Sequence, residues 1–207
     1  MMGASQNKWV RRLFLYIIFL TGAALYILTN QVVVFEAINL PLTPIDRLIQ
    51  FWPWTIVIYA LIFPLIAITP FIINTEILFK RALFCAVGVI LSQMFFFVVF
   101  PSGYHARPDI SGMEFPWQQI YFGLYKLDSS FNCYPSFHVS LCALIPLLLY
   151  GERPKLCLFF SALCPLIAIS TLTTKQHYFI DVVGGVGLGM VVYFICLKAF
   201  PLKNEKA

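Results

Sequence analysis

No charged side chain occurs between Leu13 and Phe35, and the same holds for Leu48–Thr75, Ala82–Tyr104, Pro135–Tyr150 and Leu156–Thr174. A sixth stretch, Tyr178–Leu197, contains only Asp181. Because a helix rises about 1.5 Å per residue, roughly 20 apolar residues cross the ~30 Å of a bilayer's hydrocarbon. Composition agrees, with 60% of the 207 residues hydrophobic and 11% charged, against about 25% charged in soluble domains. The expected fold is all-α: a polytopic membrane bundle of six transmembrane helices in which residues 1–207 form a single domain. A basic start before a greasy run also describes a signal peptide. This run is long for one and shows no cleavage site, so a retained span is expected.

Between the spans lie features that position them. Thr43-Pro44-Ile45-Asp46 reads as a helix start, and Trp52 and Trp54 suit an interfacial belt. The second span is expected near Thr55–Ile73, and Glu76, Lys80 and Arg81 are expected in a short turn. With six spans, ten of the fourteen Lys and Arg residues fall on one side: Lys8, Arg11, Arg12, Lys80, Arg81, Arg153, Lys155, Lys198, Lys203 and Lys206. Arg47, Arg107, Lys126 and Lys175 fall on the other. The positive-inside rule then places both termini in the cytoplasm. Most of the net charge of +5 is thus topological, and no nucleic-acid partner is expected. The six cysteines show no metal-like pairing and imply no disulfide framework.

All three histidines fall on the outer side. His177 and Asp181 are four apart where a hydrophobic helix should begin, a spacing that places them on one helical face. An ionisable pair at a membrane-helix end reads as a functional site, or else as a polar pair at the water interface. His138 lies in Pro135-Ser136-Phe137-His138, 39 residues before His177. One helical hairpin fills that interval and returns both imidazoles to the same depth. Ser136 before a helix start adds free backbone N–H groups that favour an anion, and Arg107, Lys126 and Lys175 come from loops on the same face. Two histidines, one carboxylate, cations and a helix start suit a phosphate ester.

Pro-Ser-x-His followed by His-x-x-x-Asp resembles the second and third signatures of the type 2 phosphatidate phosphatase superfamily of membrane lipid phosphatases. Arg107-Pro108 is similar to the end of the first signature, and the resemblance covers about residues 80–195. It implies that His177 is a nucleophile forming a phosphohistidine. Asp181 would fix its tautomer and stabilise the developing charge. His138 would protonate the leaving group and then activate water or an alcohol. Arg107, Ser136 and backbone N–H groups would hold the phosphoryl oxygens, with no metal or other cofactor. Two positions depart from the pattern: the first signature's Lys is replaced by Phe100, and the Ser-Arg of the third reads Ser170-Thr171. Lys126 or Lys175 is expected to supply the missing charge. The missing Arg and the form of the third signature look more like the inositol phosphorylceramide synthase and sphingomyelin synthase branch, which transfers a head group to an alcohol. The implied substrate is a membrane lipid phosphate or pyrophosphate, hydrolysed at the outer interface. Transfer to an alcohol is the alternative. The small size suggests a bacterial inner membrane with the site facing the periplasm or exterior.

Other readings compete. His138 and His177 on adjacent helices would also suit a haem, or with Asp181 a metal ion. Asp181 already suits a hydrogen-bonding role, and the cations would repel a metal. A transporter would place ionisable residues at the midplane, whereas here they gather at one rim. His105 is expected to be a loop or rim residue. Gly184, Gly185, Gly187 and Gly189 are expected to serve helix packing. Trp117, Tyr121, Phe122 and Tyr125 are expected to form an interfacial belt, and Asp46 and Arg47 to be interfacial anchors.

Overall fold

The structure is a computed structural model that describes residues 2–32 and 35–202 and, in its first helix, side chains from Lys8 onward. The described residues are all-α apart from one two-residue strand pair. Helix α1 spans Met2–Gln31, α2 Pro44–Leu48, α3 Ile56–Ala60, α4 Ile62–Ile72 and α5 Glu76–Val99. After these come α6 Trp117–Leu127, α7 Phe137–Leu149, α8 Pro154–Thr173 and α9 Phe179–Ala199. Strands β1 (Ile38–Asn39) and β2 (Ser102–Gly103) pair in parallel and pin the loop after α1 to the exit of α5. The expected tail cations Lys203 and Lys206, and Val33 and Val34 of the first run, lie outside the described residues.

Among the described residues, five helical stretches are long and apolar enough to cross a membrane: Lys8–Gln31, Pro53–Ile72, Glu76–Val99, Pro154–Thr173 and Phe179–Ala199. The run expected to form a further span, Pro135–Tyr150, yields α7, of only 13 residues, or about 20 Å. Ser136 caps its start, and the turn at Gly151, with φ at 77°, ends it before Pro154 opens α8. This short helix is nonetheless central, packing against α5, α8 and α9, with Val139 and Ser140 fully buried. The second span is broken rather than continuous. A 3-10 turn at Pro53–Thr55 leads into α3, and the helix resets at Leu61. Pro64 cannot donate to the Ala60 carbonyl and its ring crowds it. Glu76, Lys80 and Arg81 lie not in a turn but in the opening turns of α5, which Thr75 caps by accepting from the Leu78 N–H at 3.2 Å.

Helices α7 and α9 approach unusually closely, and two glycines allow it. A methyl group on Gly185 would lie 2.7 Å from the Ser136 carbonyl oxygen, and one on Gly189 the same distance from that of Ser140. Gly187 faces open space, so it does not share the packing role expected of it. Gly189→Ala is therefore expected to destabilise the protein by about 1–3 kcal/mol, the usual range for overpacking, while Gly187→Ala, whose methyl meets open space, does not lower stability. Thermal unfolding of both variants in detergent checks this. Equal midpoints would show that the α7–α9 contact does not depend on the glycine.

Candidate active site

Helix α8 ends in a tight turn that carries His177. Lys175 takes a left-handed φ of 54°, and the Gln176 and His177 N–H groups both donate back to the Thr171 carbonyl, at 3.0 and 3.2 Å. Thr171, standing where the related signature has Arg, is fully buried and serves this turn through its backbone. His177 precedes α9 rather than lying on its first turn. Asp181 still reaches it because the carboxylate folds back over the helix start. Its Oδ2 accepts from the Tyr178 N–H at 2.8 Å and lies 3.3 Å from His177 Nδ1. His177 is 7% exposed and Asp181 0%. Asp181 Oδ1 is buried and has no partner among the described residues.

The expected hairpin returns His138 to this point. Ser136 caps α7, its hydroxyl accepting from the Val139 N–H at 3.4 Å, while its own N–H donates to the Asp181 carbonyl at 3.0 Å. The two short motifs are thus joined by a backbone hydrogen bond. The His138 and His177 ring centroids are 6.2 Å apart, with the planes inclined at 61°. Tyr59 of α3 also packs against His138, centroids 4.7 Å apart.

Arg107 is anchored beside this pair. It donates to the Asp128 carbonyl at 2.8 Å, to that of Ser129 at 3.3 Å, and to Gln176 Oε1 at 3.0 Å. Its guanidinium covers the Tyr125 ring at 4.7 Å. The contact with Gln176 places it one residue from His177. Its Nε–H is buried without a partner among the described residues, a donor that an anion would satisfy. Asp128 is itself held by Tyr26 at 2.8 Å and Asn30 at 3.2 Å. Burial raises its pKa, against the lowering effect of those bonds and of Arg107.

The structure thus brings together His177, Asp181, His138, Ser136 and Arg107. It does not bring the two lysines to them. Lys175 Nζ donates instead to the carbonyls of Asp46 (3.1 Å), within α2, and Ile49 (2.5 Å), its C-cap. Lys126 is exposed in the last turn of α6. His105 is exposed in the loop after β2.

Several residues that organise the site were read otherwise or not singled out. Asp46 is no surface anchor: it is 5% exposed. Its Oδ2 accepts from Thr43, completing the expected helix start, and its Oδ1 accepts from the Phe179 N–H at 2.7 Å, capping α9 as well. Trp52 N–H donates to the Thr173 carbonyl at 2.9 Å, and Thr173 Oγ1 donates to Thr55 Oγ1 at 2.9 Å. Residues 43–55 therefore clamp the His177 turn from outside. Of the expected aromatic belt, Trp117, Tyr121 and Tyr125 recur every four residues and line one face of α6. Tyr121 is fully buried in a cluster with Ile56 and Tyr59, and Phe122 alone is exposed. The i, i+4 spacing of those aromatics was the available signal.

All six cysteines are free thiols. One of them, Cys133, joins His177 and Asp181 in a group whose potential ligand atoms lie within 4.8 Å of one another. The three ligands grouped in this way include Cys133 and not the His138 of the expected alternative.

A search of curated proteins finds no match to this chain. The PAP2 superfamily model matches residues 81–205, more than half of the chain, and takes in both histidine motifs and Arg107. The match covers the short central helix and the α8–α9 turn, where the two imidazoles, the carboxylate and the guanidinium converge, and by it the chain belongs to the PAP2 (phosphatidic acid phosphatase type 2) superfamily.

Proposed function

We propose that this protein is an integral-membrane lipid phosphatase that hydrolyses a lipid phosphate or pyrophosphate through a phosphohistidine. The observation that carries the reading is the facing pair His138–His177 with the buried Asp181 behind His177. A neutral His177 donating Nδ1–H to Asp181 keeps the Nε2 lone pair free for attack on phosphorus. The P–N bond forms as the P–O bond to the lipid breaks, and His138 gives that oxygen its proton. Water then loses a proton to His138 and attacks phosphorus. The P–N bond breaks, and inorganic phosphate leaves. Arg107 Nε, the α7 first-turn N–H groups and the Ser136 hydroxyl hold the phosphoryl oxygens. Lys175 is assigned to bracing the turn, and exposed Lys126 to attracting anionic head groups.

In this reading α7 is a short sixth crossing, both termini are cytoplasmic, and the site opens at the outer rim. The head group then reaches His177 while the acyl or prenyl chain stays in lipid. A bacterial inner membrane, with the site toward the periplasm, suits a chain of this size. Transfer to an alcohol is the second reading. It is favoured by Thr171 in place of the signature Arg and by the resemblance of His177–Gly185 to inositol phosphorylceramide and sphingomyelin synthases.

The test is phosphate release by purified protein in detergent from phosphatidate, isoprenyl pyrophosphate and phosphatidylglycerophosphate. Each assay runs with and without EDTA and is coupled to alkaline quenching that preserves a P–N bond. The expected result is EDTA-resistant release with label on His177. No release without an added alcohol, and turnover with one, would replace hydrolysis by transfer. A Soret band in the purified protein would replace both with a bis-histidine haem.

His138→Ala is expected to slow release from a lipid alkyl phosphate by about 10²–10⁴-fold, the usual worth of a positioned acid–base group. An aryl phosphate, whose phenolate leaves without a proton, should form the phosphoenzyme at near the normal rate. Equal losses on both substrates would deny His138 the role of acid.

A further inference from the structure

The mechanism above does not use Cys133, yet its thiol is 3% exposed and lies against the reacting set. We propose that Cys133, His177 and Asp181 form an inhibitory site for a borderline-soft divalent cation such as Zn²⁺. One donor atom from each lies within 4.8 Å of the other two. Tetrahedral zinc with ligands at ~2.0–2.3 Å would hold them roughly 3.2–3.8 Å apart. Side-chain shifts of about 1 Å therefore close the site. Cys133 Sγ is held by one weak bond, donated to the Ser130 carbonyl at 3.3 Å, and by packing against Tyr104 and Tyr178.

Two further observations point to a cation. Asp181 Oδ1 is a carboxylate oxygen of a residue with no exposure, and it has no partner among the described residues. An unpaired buried acceptor is costly, and a bound cation would satisfy it. The charged side chains acting on Cys133 are the carboxylates of Asp181 and Asp128 and the guanidinium of Arg107. With a thiolate added, three negative charges face one positive, a surplus that a divalent ion neutralises. Binding is written Cys133–SH plus His177, Asp181⁻ and M²⁺ giving the thiolate complex and one released proton. Three protein ligands leave the fourth position to water or a phosphoryl oxygen.

The consequence for activity rests on His177 being the nucleophile, whereas the binding itself does not. Coordination through either ring nitrogen removes the nucleophile. Nε2 would be occupied directly, or Nδ1 would lose its bond to Asp181 and acquire a cation beside it.

The experiment titrates Co²⁺ into EDTA-treated full-length protein in detergent, beside Cys133→Ser. That variant keeps a donor toward Ser130, and its thermal unfolding is followed as a folding control. A thiolate-to-cobalt charge-transfer band saturating at one equivalent, displaced by Zn²⁺ and lost in folded Cys133→Ser, is the expected result. Phosphate release by the wild type should fall with Zn²⁺ and recover with EDTA. Cys133→Ser should need at least about 10-fold more Zn²⁺ for the same inhibition, as metal sites that lose a supporting group do. A band that persists in Cys133→Ser, or no band at small excess of Co²⁺, overturns the site. A band that depends on Cys133 while release continues at full rate leaves the metal site standing and removes His177 as nucleophile.

Discussion

His177→Ala should give folded protein whose phosphate release falls by about 10⁴–10⁶-fold, the scale seen when a covalent catalyst loses its nucleophile. The reason lies in the scarcity of alternatives at the site. His138 sits across a centroid distance of 6.2 Å, but its ring is packed against Tyr59. Among the described residues no carboxylate supports its ring as Asp181 supports that of His177. The alanine should not unfold the turn, since Gln176 and His177 hold it through backbone N–H bonds to Thr171. The checks are steady-state release, alkaline-stable label and a thermal midpoint measured on one preparation. Release at more than a small fraction of wild type, with no label on the variant, would remove the phosphohistidine from the mechanism.

Asp181→Asn is the second large effect, expected at about 10²–10⁴-fold in kcat by analogy with the loss of an orienting carboxylate behind a catalytic imidazole. The amide oxygen can still accept from the Tyr178 N–H, so α9 keeps its cap. What disappears is the negative charge facing a ring that becomes cationic on phosphorylation. The amide nitrogen would also occupy the position of Oδ1, where no acceptor awaits it, and would be buried with its N–H groups unpaired. KM should change far less than kcat, because Asp181 touches the nucleophile and not the lipid. A variant that loses substrate affinity but retains kcat would reassign Asp181 to head-group binding.

The parts of this molecule that depend on periodicity and on depth in the membrane were legible in its residues. Charge-free runs located the long helices, and a hairpin between His138 and His177 was enough to bring two distant imidazoles together. Thr43 through Asp46 announced α2, because capping is a local interaction. What escaped was everything decided by loops folding over the rim. Asp46 and Lys175 read as a surface anchor and a substrate cation. Their actual partners are backbone groups of Phe179, Asp46 and Ile49, and no sequence pattern marks which backbone groups a fold will leave unpaired. The short α7 escaped for a related reason. Its apolar run promised a full crossing, but the cap at Ser136 and the turn at Gly151 trimmed it, and its neighbours rather than lipid surround it.

The clamp from residues 43–55 makes the reacting centre bipartite along the chain. Every group assigned a chemical role lies between Arg107 and Asp181, inside the family match. The turn bearing His177, however, is an arch with two abutments, and the outer one is built by residues upstream of that match. A fragment beginning at residue 81 would hold a full chemical inventory on an arch resting at one side. Adding back residues 1–80 as a separate chain would then restore rate without supplying a single reacting atom.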